Sequence, residues 1–184
     1  MSVFVVMLRA IGPVTHKIMS MAQWREAVAG AGFDNPETYV ATGNMIVNGD
    51  DTPVGATRRM DAIVRDLGLG PGNKAILRTP RQLQTLLKAD PFPEGSAKRP
   101  SEIGVYFFAG ARPDFDWVKD YAGPEHIHVE GQHLVVDYDG RQSNSRLPVI
   151  IEKKSGTVTA RNWNTLRALA ERSTARTRAS KTSS

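Results

Sequence analysis

A short segment near the start of the chain restricts the fold more than any other feature. Residues 3–8, VFVVML, are continuously apolar and rich in valine, a pattern typical of a strand that is buried on both faces. The two faces of such a strand carry Val3, Val5 and Met7, and Phe4, Val6 and Leu8. A sheet containing this strand must be covered on both sides, so we expect a second domain or another subunit against it.

The elements that follow give the order βαββαβ through residue 78. The first helix has a clear start, because Ser20 and Gln23 stand at capping-box spacing. The predicted elements after the first strand are helix 20–31, strands 37–42 and 45–48, helix 53–67 and strand 74–78. This order is that of the ferredoxin-like arrangement, which has helices on one face of a four-stranded sheet.

The rest of the chain predicts a smaller α+β subdomain packed against the first. We expect a ferredoxin-like subdomain at residues 1–90, a linker rich in Pro and small polar residues at 91–101, and the second subdomain at 102–171. A weak echo of strand–helix–strand–strand–helix runs through both halves, without a shared sequence motif. The fold class is therefore α+β.

The positive charge is concentrated at the end of the chain. The formal net charge is +5, but residues 172–184 hold four basic and no acidic residues. Residues 1–171 are therefore nearly neutral, whereas a nucleic-acid-binding domain usually has a basic face of its own. Because the tail has no apolar residues except two alanines, we predict that it is disordered and solvated.

Several function classes are excluded by what the sequence lacks. With no cysteine among 184 residues, there is no disulfide, thiolate nucleophile or Cys-ligated metal. No P-loop, zinc-protease helix, nucleophile elbow or EF-hand loop is present, and no cofactor is predicted. No apolar run is long enough to span a bilayer. We expect a soluble cytoplasmic protein, monomeric or homodimeric, with no membrane partner.

A hairpin at residues 125–138 concentrates the histidines. A two-residue turn at Gly131-Gln132 fits type II′ geometry and places five polar side chains on one face: His126, His128, Glu130, His133 and Asp137. His126 and His133 lie at opposite ends, so they cannot share an ion. We expect a solvated, titrating face here and no metal site.

Two later segments are rich in hydrogen-bond donors. Residues 140–146, GRQSNSR, form a predicted loop with hydroxyl, amide and guanidinium groups. Arg161 then precedes a helix start at which Asn162 is a suitable N-cap and Asn164 and Thr165 add donors. Free N–H groups and partial positive charge at a helix start favour an anion. The alternative is that Asn162 only caps and Arg161 ties down a loop.

These residues also resemble a known family. MLRAIG, the TYVATGN string, SNSR and TVTARNWNT resemble the domain-of-unknown-function 1697 family, in order over residues 2–171. The resemblance implies a two-subdomain α+β fold and no known activity. The chain has Ala10, Gly12-Pro13-Val14-Thr15 and Thr42 where the family typically has Gly, Asn-Val-Gly-Gly and Ser.

We therefore predict binding of a small anionic or polar ligand in a cleft between the subdomains. The predicted ligand-contacting residues are Arg9, Thr42, Asn44, Ser145, Arg161, Asn164 and Thr165. One alternative is nucleic-acid binding through the basic tail and exposed loops, and a second is an enzyme of unknown reaction, although no nucleophile or tuned base stands out. A third, structural interpretation is that RNWNT only attaches the last helix to the sheet.

Overall fold

Two four-stranded antiparallel sheets organise the computed structural model, which describes residues 1–183. The first sheet belongs to a unit formed by Met1–Gln84 and the chain from Leu169 onward, and the second belongs to a unit formed by Thr85–Ala168. Each sheet has its own apolar core with its own helices. The predicted mixed α+β fold class is confirmed.

Eight strands and seven α-helices lie within the described residues. The strands are β1 Ser2–Leu8, β2 Asp34–Tyr39, β3 Asn44–Gly49, β4 Ala75–Arg78, β5 Ile103–Phe108, β6 His126–Glu130, β7 His133–Asp137 and β8 Val158–Asn162. The helices are α1 Pro13–His16, α2 Met21–Gly30, α3 Pro53–Asp66, α4 Pro80–Ala89, α5 Pro93–Lys98, α6 Leu147–Ser155 and α7 Trp163–Thr182. Residues 91–101, predicted as a linker, thus contain a short helix.

The first sheet has the order β2-β3-β1-β4, with β1 antiparallel to both β3 and β4. This order is consistent with the predicted ferredoxin-like arrangement. Helices α2 and α3 cover one face, where Trp24 and Met60 pack among the buried side chains of β1. The predicted capping box begins α2, since Ser20 and Gln23 each accept a hydrogen bond from the other's backbone N–H.

The other face of β1 is also buried, as its sequence predicts: Val5 and Met7 are fully inaccessible to solvent. Part of its cover is the C-terminal half of α7, residues 169–182. The Arg176 guanidinium donates to the carbonyl of Ile46 at 3.0 Å and to Oδ1 of Asn48 at 3.3 Å. Ile46 pairs with Val5 in the sheet, so the helix lies over this second face.

The predicted disordered tail is therefore wrong over its described residues. Helix α7 continues to Thr182, and only Ser184 of that segment lies outside the described residues. Two cations anchor the helix, because Arg172 and Arg176 both donate to the Glu37 carboxylate at 2.9 Å. The buried stripe continues past Leu169 with small residues instead of large apolar ones, and Ser173 is fully buried.

The second sheet repeats the strand order of the first, as β6-β7-β5-β8. Its edge strand β8 is missing from the sequence-based prediction, which placed only a helix start near Asn162. One face of the sheet packs on α6 through Leu147 and Ile151. A short 3₁₀ helix at Asp116–Asp120 lies between β5 and β6. The echo of element order between the two halves thus extends to strand order.

The hairpin register is as predicted, with Glu130 opposite His133 and His126 opposite Asp137. Its polar face is not uniformly solvated, however, because His133 and Asp137 are both buried. The guanidinium of Arg99 donates to both Asp137 oxygens, at 2.8 and 3.1 Å, and it lowers the pKa of that carboxyl. The expectation of a solvated face is wrong for these two residues, because Arg99 covers Asp137 and Phe107 packs edge-on against His133 at the other end of the strand.

Candidate functional site

Three of the predicted site residues lie together at one end of the first sheet. The buried Asn44 side chain donates to the Thr42 hydroxyl at 2.9 Å and to the Tyr39 carbonyl at 3.1 Å. Arg9 donates to the Gly72 carbonyl at 3.1 Å. The N–H of Leu8, next to Arg9, donates to the carbonyl of the intervening Gly43. These side chains therefore hold the loops at this end in place.

The turn at this end requires a glycine at position 43. Gly43 has a φ of 85°, a left-handed conformation that side chains other than glycine rarely adopt. A Cβ here would come within 2.8 Å of the Ile11 side chain and 3.0 Å of the Leu8 Cβ. Gly43 directly precedes β3, which begins at Asn44.

The other four predicted residues belong to the second unit. Ser145 donates its hydroxyl to Glu125 and accepts from the N–H of Leu147 at 3.0 Å. Asn162 caps α7 as predicted, because its Oδ1 accepts the N–H of Thr165 at 3.0 Å. Asn164, in the first turn of α7, is exposed.

Arg161 is the most buried of the predicted cations, with 8% of its surface exposed. Its guanidinium donates to the Thr159 hydroxyl at 2.6 Å and to the Ala160 carbonyl at 2.9 Å. Burial lowers the pKa of Arg161 to about 10, so it remains charged at neutral pH. Thr159 and Ala160 belong to the same strand as Arg161, which fits the structural interpretation of RNWNT better than a ligand contact.

The first unit contains a counterpart of Arg161 that sequence reasoning missed. Arg78 ends β4 as Arg161 lies near the end of β8, and each pairs with a buried valine of the central strand. Burial lowers the pKa of Arg78 to about 10 as well. Each arginine directly precedes a helix cap: Thr79 accepts the N–H of Gln82, as Asn162 accepts that of Thr165. The signal in the sequence is the alignment of RTPRQLQTL with RNWNTLRAL.

A buried carboxylate in the second unit was also missed. Glu125 precedes β6, is 7% exposed, and accepts hydrogen bonds from the hydroxyls of Tyr121 and Ser145. Burial alone would raise the pKa of Glu125, but these hydrogen bonds and the charge of Arg141 bring it below its ordinary value. The hydrogen bond from Ser145 thus attaches the loop at residues 140–146 to Glu125.

A small cavity of about 340 Å³ borders the same loop, lined by Glu102, Gly140, Gln142 and Ser143. The Glu102 carboxylate accepts the N–H of Gly140 at 2.8 Å. The neighbouring Asp139 carboxylate pairs with Arg141 at 3.5 Å. The Glu102 carboxylate on the wall disfavours an anion in this cavity.

The larger groove lies within the first unit and has a volume of about 750 Å³. It is formed by the start of β1, the end of β3, the start of α4 and the last turns of α7. Its lining residues are Met1, Ser2, Val3, Asn48, Thr79, Pro80, Arg81, Thr177, Ser180 and Lys181. None of these ten described residues has an acidic side chain; Arg81 and Lys181 have cationic side chains, and the Met1 ammonium adds a third positive charge that pairs with Asp50 at 3.5 Å.

Burial separates the floor of this groove from its rim. Val3 and Asn48 are 7% and 8% exposed, so they form the floor, whereas Arg81 and Lys181 are exposed and lie at the rim. Helices α4 and α7 meet beside it, because Gln84 donates to the Ala170 carbonyl at 3.2 Å and to the Thr174 hydroxyl at 3.0 Å. The groove therefore combines an uncharged floor with two positive side chains from different helices.

The sequence analysis missed this groove for one main reason. Three of its lining residues, Thr177, Ser180 and Lys181, lie on the segment predicted to be disordered. The available signal is the spacing of Leu166, Leu169, Ala170, Ser173 and Thr177, which continues one helical stripe at intervals of three and four.

The groove and the predicted residues of the first unit are far apart. Val3 lies at the start of β1, and Arg9 follows its end. Six residues of strand span roughly 20 Å at ~3.3 Å per residue. Arg9, Thr42 and Asn44 therefore cannot contact the same small ligand as Arg81 and Lys181.

The described residues contain neither a metal-binding cluster nor a helix able to span a membrane. Within residues 1–183, no cluster of three or more His, Asp or Glu side chains is arranged to hold a metal ion. None of the helices in that range combines the length and apolarity needed to cross a membrane.

Comparison with known proteins places the chain in a family. The fold is similar to that of a solved structure described as a conserved bacterial protein, SP0830, from Streptococcus pneumoniae, with a TM-score of 0.70 and 14% identity over 95% of this chain and 99% of that one. No curated protein matches the sequence. The model of the family described as protein of unknown function (DUF1697) matches residues 1–134. The chain therefore belongs to the DUF1697 family.

Proposed function

We propose that this protein binds a small anionic ligand in the groove of its first unit. The observation that carries the proposal is that Arg81 and Lys181 both line a groove of about 750 Å³ that has no acidic lining residue. That volume lies in the range of small-molecule sites. The side chains of Arg81 and Lys181, together with the Met1 ammonium that pairs with Asp50 at 3.5 Å, attract an anion more than a cation.

The start of α4 supports the same ligand class, because it adds a partial positive charge. The hydroxyls of Thr79, Thr177 and Ser180 line the groove, but they donate to Gln82 Oε1 and to the carbonyls of Ser173 and Arg176. The side chains of Arg81 and Lys181 would therefore supply the donors for the ligand, while its less polar part would contact the floor at Val3.

Thermal shift with a matched set of small molecules tests the proposal. Benzoate should raise the melting temperature, whereas benzamide and benzamidine, which have the same ring but no negative charge, should not. Selective binding to the native state stabilises it by mass action. A melting temperature that responds equally to all three compounds would contradict the proposal.

Charge-removing variants locate the site. Arg81→Gln and Lys181→Gln should each weaken anion binding about tenfold, the loss expected for one charged hydrogen bond of ~1.4 kcal/mol. Arg178→Gln removes the same charge from an exposed position of α7 outside the groove and should bind anions as the unaltered protein does. Equal weakening in all three variants would indicate general charge attraction instead of a site.

The cleft residues predicted from the sequence, Arg9, Thr42, Asn44, Ser145, Arg161, Asn164 and Thr165, stay a prediction. The contacts described above favour structural roles for Asn44, Ser145 and Arg161. Variants at exposed Thr42 and Asn164 test the remaining hypothesis, because a ligand in that region would bind less tightly to Thr42→Val or Asn164→Ala.

Nucleic-acid binding and an enzymatic reaction stay alternative predictions. Two of the tail cations, Arg172 and Arg176, form ion pairs with Glu37, which leaves less free charge for phosphates than a disordered tail would. Anisotropy with labelled oligonucleotides tests the first alternative. Binding should weaken by nearly one log unit of affinity per contacted phosphate for each tenfold rise in salt.

A further inference from the structure

We infer that the end of the first sheet opposite the groove is a docking surface for an acidic, apolar segment of another protein. Seven large apolar residues are exposed among the described residues. Three of them lie at this end and form what is called the apolar patch below: Val14, Ile18 and Val40, with exposed fractions of 73%, 47% and 50%. Exposed apolar side chains that cluster are typical of contact sites for other molecules. The patch is separate from the groove and does not depend on the ligand proposed there.

Two adjoining segments of chain carry the apolar patch. The imidazole of His16, the last residue of α1, donates to the Ala41 carbonyl at 2.7 Å. This hydrogen bond holds α1 beside the turn between β2 and β3. Val14 lies within α1, Val40 directly precedes Ala41 in the turn, and the N–H of Ile18 donates back to α1 at 3.0 Å. The three apolar side chains are therefore brought to the same end of the sheet by two short segments.

The backbone at this end is strained in a way that favours a role for the Val40 side chain outside the fold. Among residues 1–183, five residues other than glycine have positive φ, and three of these are Asn or Asp, which tolerate that conformation. The other two, Ala10 at 60° and Val40 at 50°, both lie at this end. Valine has the higher cost, because its branched Cβ opposes a left-handed backbone. Since half of its surface remains exposed, burial within this chain offsets little of that cost.

The charges on the two segments favour an acidic partner. Residues 9–20 and 39–44 contain Arg9 and Lys17 and no Asp or Glu. Lys17 is exposed, and Arg9 is half-buried and donates to the Gly72 carbonyl. Carboxylates that flank the apolar side chains of a partner would complement this charge.

The nearby end of α3 leaves this balance unchanged. A Cβ at Gly68 would lie 3.1 Å from the Ile18 side chain, so the patch borders the turn that follows α3. Arg65 and Asp66 add one charge of each sign there. An anionic membrane is less well matched than an acidic protein segment, because recognition of anionic lipid typically uses a cluster of about four or more Lys and Arg residues.

Selection from a random dodecapeptide phage library on the full chain tests the inference. The enriched peptides should combine Leu, Ile or Phe with Asp or Glu. The most enriched peptide, labelled for fluorescence anisotropy, should bind about tenfold more weakly to Val14→Ser and to Val40→Ser than to the unaltered protein. Val149→Ser changes an equally exposed valine of α6 and should leave the affinity unchanged.

Charge reversal separates the acidic requirement from the apolar one. Lys17→Glu should weaken binding of the same peptide by about tenfold. Arg178→Glu makes the same change at an exposed position of α7 and should have no effect. Equal weakening by the two reversals would overturn the choice of an acidic partner for this patch.

Val40→Gly gives a measurement that a purely structural role would not explain. Because glycine adopts positive φ without strain, the melting temperature should stay unchanged or rise by up to about 4 °C. Peptide affinity should nevertheless fall by about tenfold, as in Val40→Ser. A variant that keeps its stability and loses binding assigns the Val40 side chain to an external contact.

The remaining outcomes would overturn the inference. These are no enrichment of peptides, enrichment of basic peptides, or equal binding of the selected peptide by Val40→Ser and Val149→Ser. Flotation with vesicles of phosphatidylserine and phosphatidylcholine that is lost in Val40→Ser would assign the patch to a membrane instead. A dimer in sedimentation velocity that dissociates in Val14→Ser would assign it to a second copy of this chain.

Discussion

Replacement of Arg176 by methionine should detach the C-terminal half of α7 from the first sheet. The side chain is 15% exposed, and its guanidinium donates to the Asn35 carbonyl at 2.7 Å, to Ile46, to Asn48 and to Glu37. Methionine retains helix propensity and much of the side-chain length, so the change removes mainly the hydrogen bonds and the charge.

The expected loss in the free energy of unfolding is about 3 kcal/mol. The three hydrogen bonds to uncharged acceptors contribute about 1 kcal/mol each. The ion pair with the half-exposed Glu37 adds ~0.5 kcal/mol or less, because solvent screens it. For a chain of this size a change of about 3 kcal/mol lowers the melting temperature by roughly 6–12 °C.

Thermal unfolding followed by circular dichroism measures this change, with two further variants for comparison. Arg178→Met, on the exposed face of the same helix, should stay within about 0.5 kcal/mol of the unaltered protein. Arg176→Lys keeps the charge but not the planar fork of donors, and should recover less than half of the loss. Equal stability of Arg176→Met and Arg178→Met would refute the anchoring role.

Three other measurements test the local structure. Gly43→Ala should lower the free energy of unfolding in urea by about 2 kcal/mol, because of left-handed strain and contact with Ile11. Gly30→Ala, whose Cβ meets nothing within 4 Å, should leave this free energy unchanged or raise it by up to ~1 kcal/mol. A larger loss of stability in Gly30→Ala than in Gly43→Ala would refute the turn argument. Because the folded-state pKa of Glu125 is lowered, its contribution to stability should be present at neutral pH and be lost as pH falls below ~4.3. The urea midpoint should therefore depend less on pH between pH 6 and 3 in Glu125→Gln than in the unaltered protein. The same pH dependence of the midpoint in both proteins would contradict this role. Burial and the hydrogen bond to Glu125 raise the pKa of Tyr121 to about 12, and two more of the four tyrosines have raised pKa values. Tyrosinate absorbance at 295 nm should therefore develop for these three residues only above pH 10, and the free energy of unfolding should fall as pH rises through their pKa values. Complete ionisation of the folded protein by pH 10 would contradict the buried cluster.

Features that depend on neighbours in sequence were predictable. The valine-rich sequence of β1 predicted a sheet that is covered on both faces, and the side chains on both faces of β1 are buried. Ser20 and Gln23 specified the start of α2 because a capping box involves only one turn of chain. The hairpin register followed from Gly131-Gln132 and the alternation on each side, and Asn162 caps α7 as its position indicated.

The errors arose where distant residues decide the outcome. Disorder was predicted for residues 172–184 because they lack large apolar side chains, but Arg172 and Arg176 bind Glu37, more than 130 positions earlier. His133 and Asp137 were expected to be solvated because their strand alternates, yet Arg99 and Phe107 pack against them. Neither set of contacts can be predicted from a local stretch of sequence, because the partners are distant along the chain.

The predicted site shows the same division. Arg161, Ser145 and Asn44 were chosen as good donors, but a donor-rich side chain serves a buried carbonyl, hydroxyl or carboxylate as readily as a ligand. The groove instead combines α4 with the end of α7, and no spacing rule connects Arg81 to Lys181. Its recognition required the tertiary position of the C-terminal half of α7, whose last residues were predicted to be disordered.

The return of α7 to the first sheet has a consequence for synthesis on the ribosome. The anchor at Arg176 is made about 90 residues after Gln84 completes the preceding part of that unit, which takes on the order of 5–20 s at usual elongation rates. During that interval Val5 and Met7 lack the cover that residues 169–182 later provide. Nascent chains of this protein therefore pass through a stage in which a valine-rich sheet surface is open to chaperones, and its lifetime is set by translation speed.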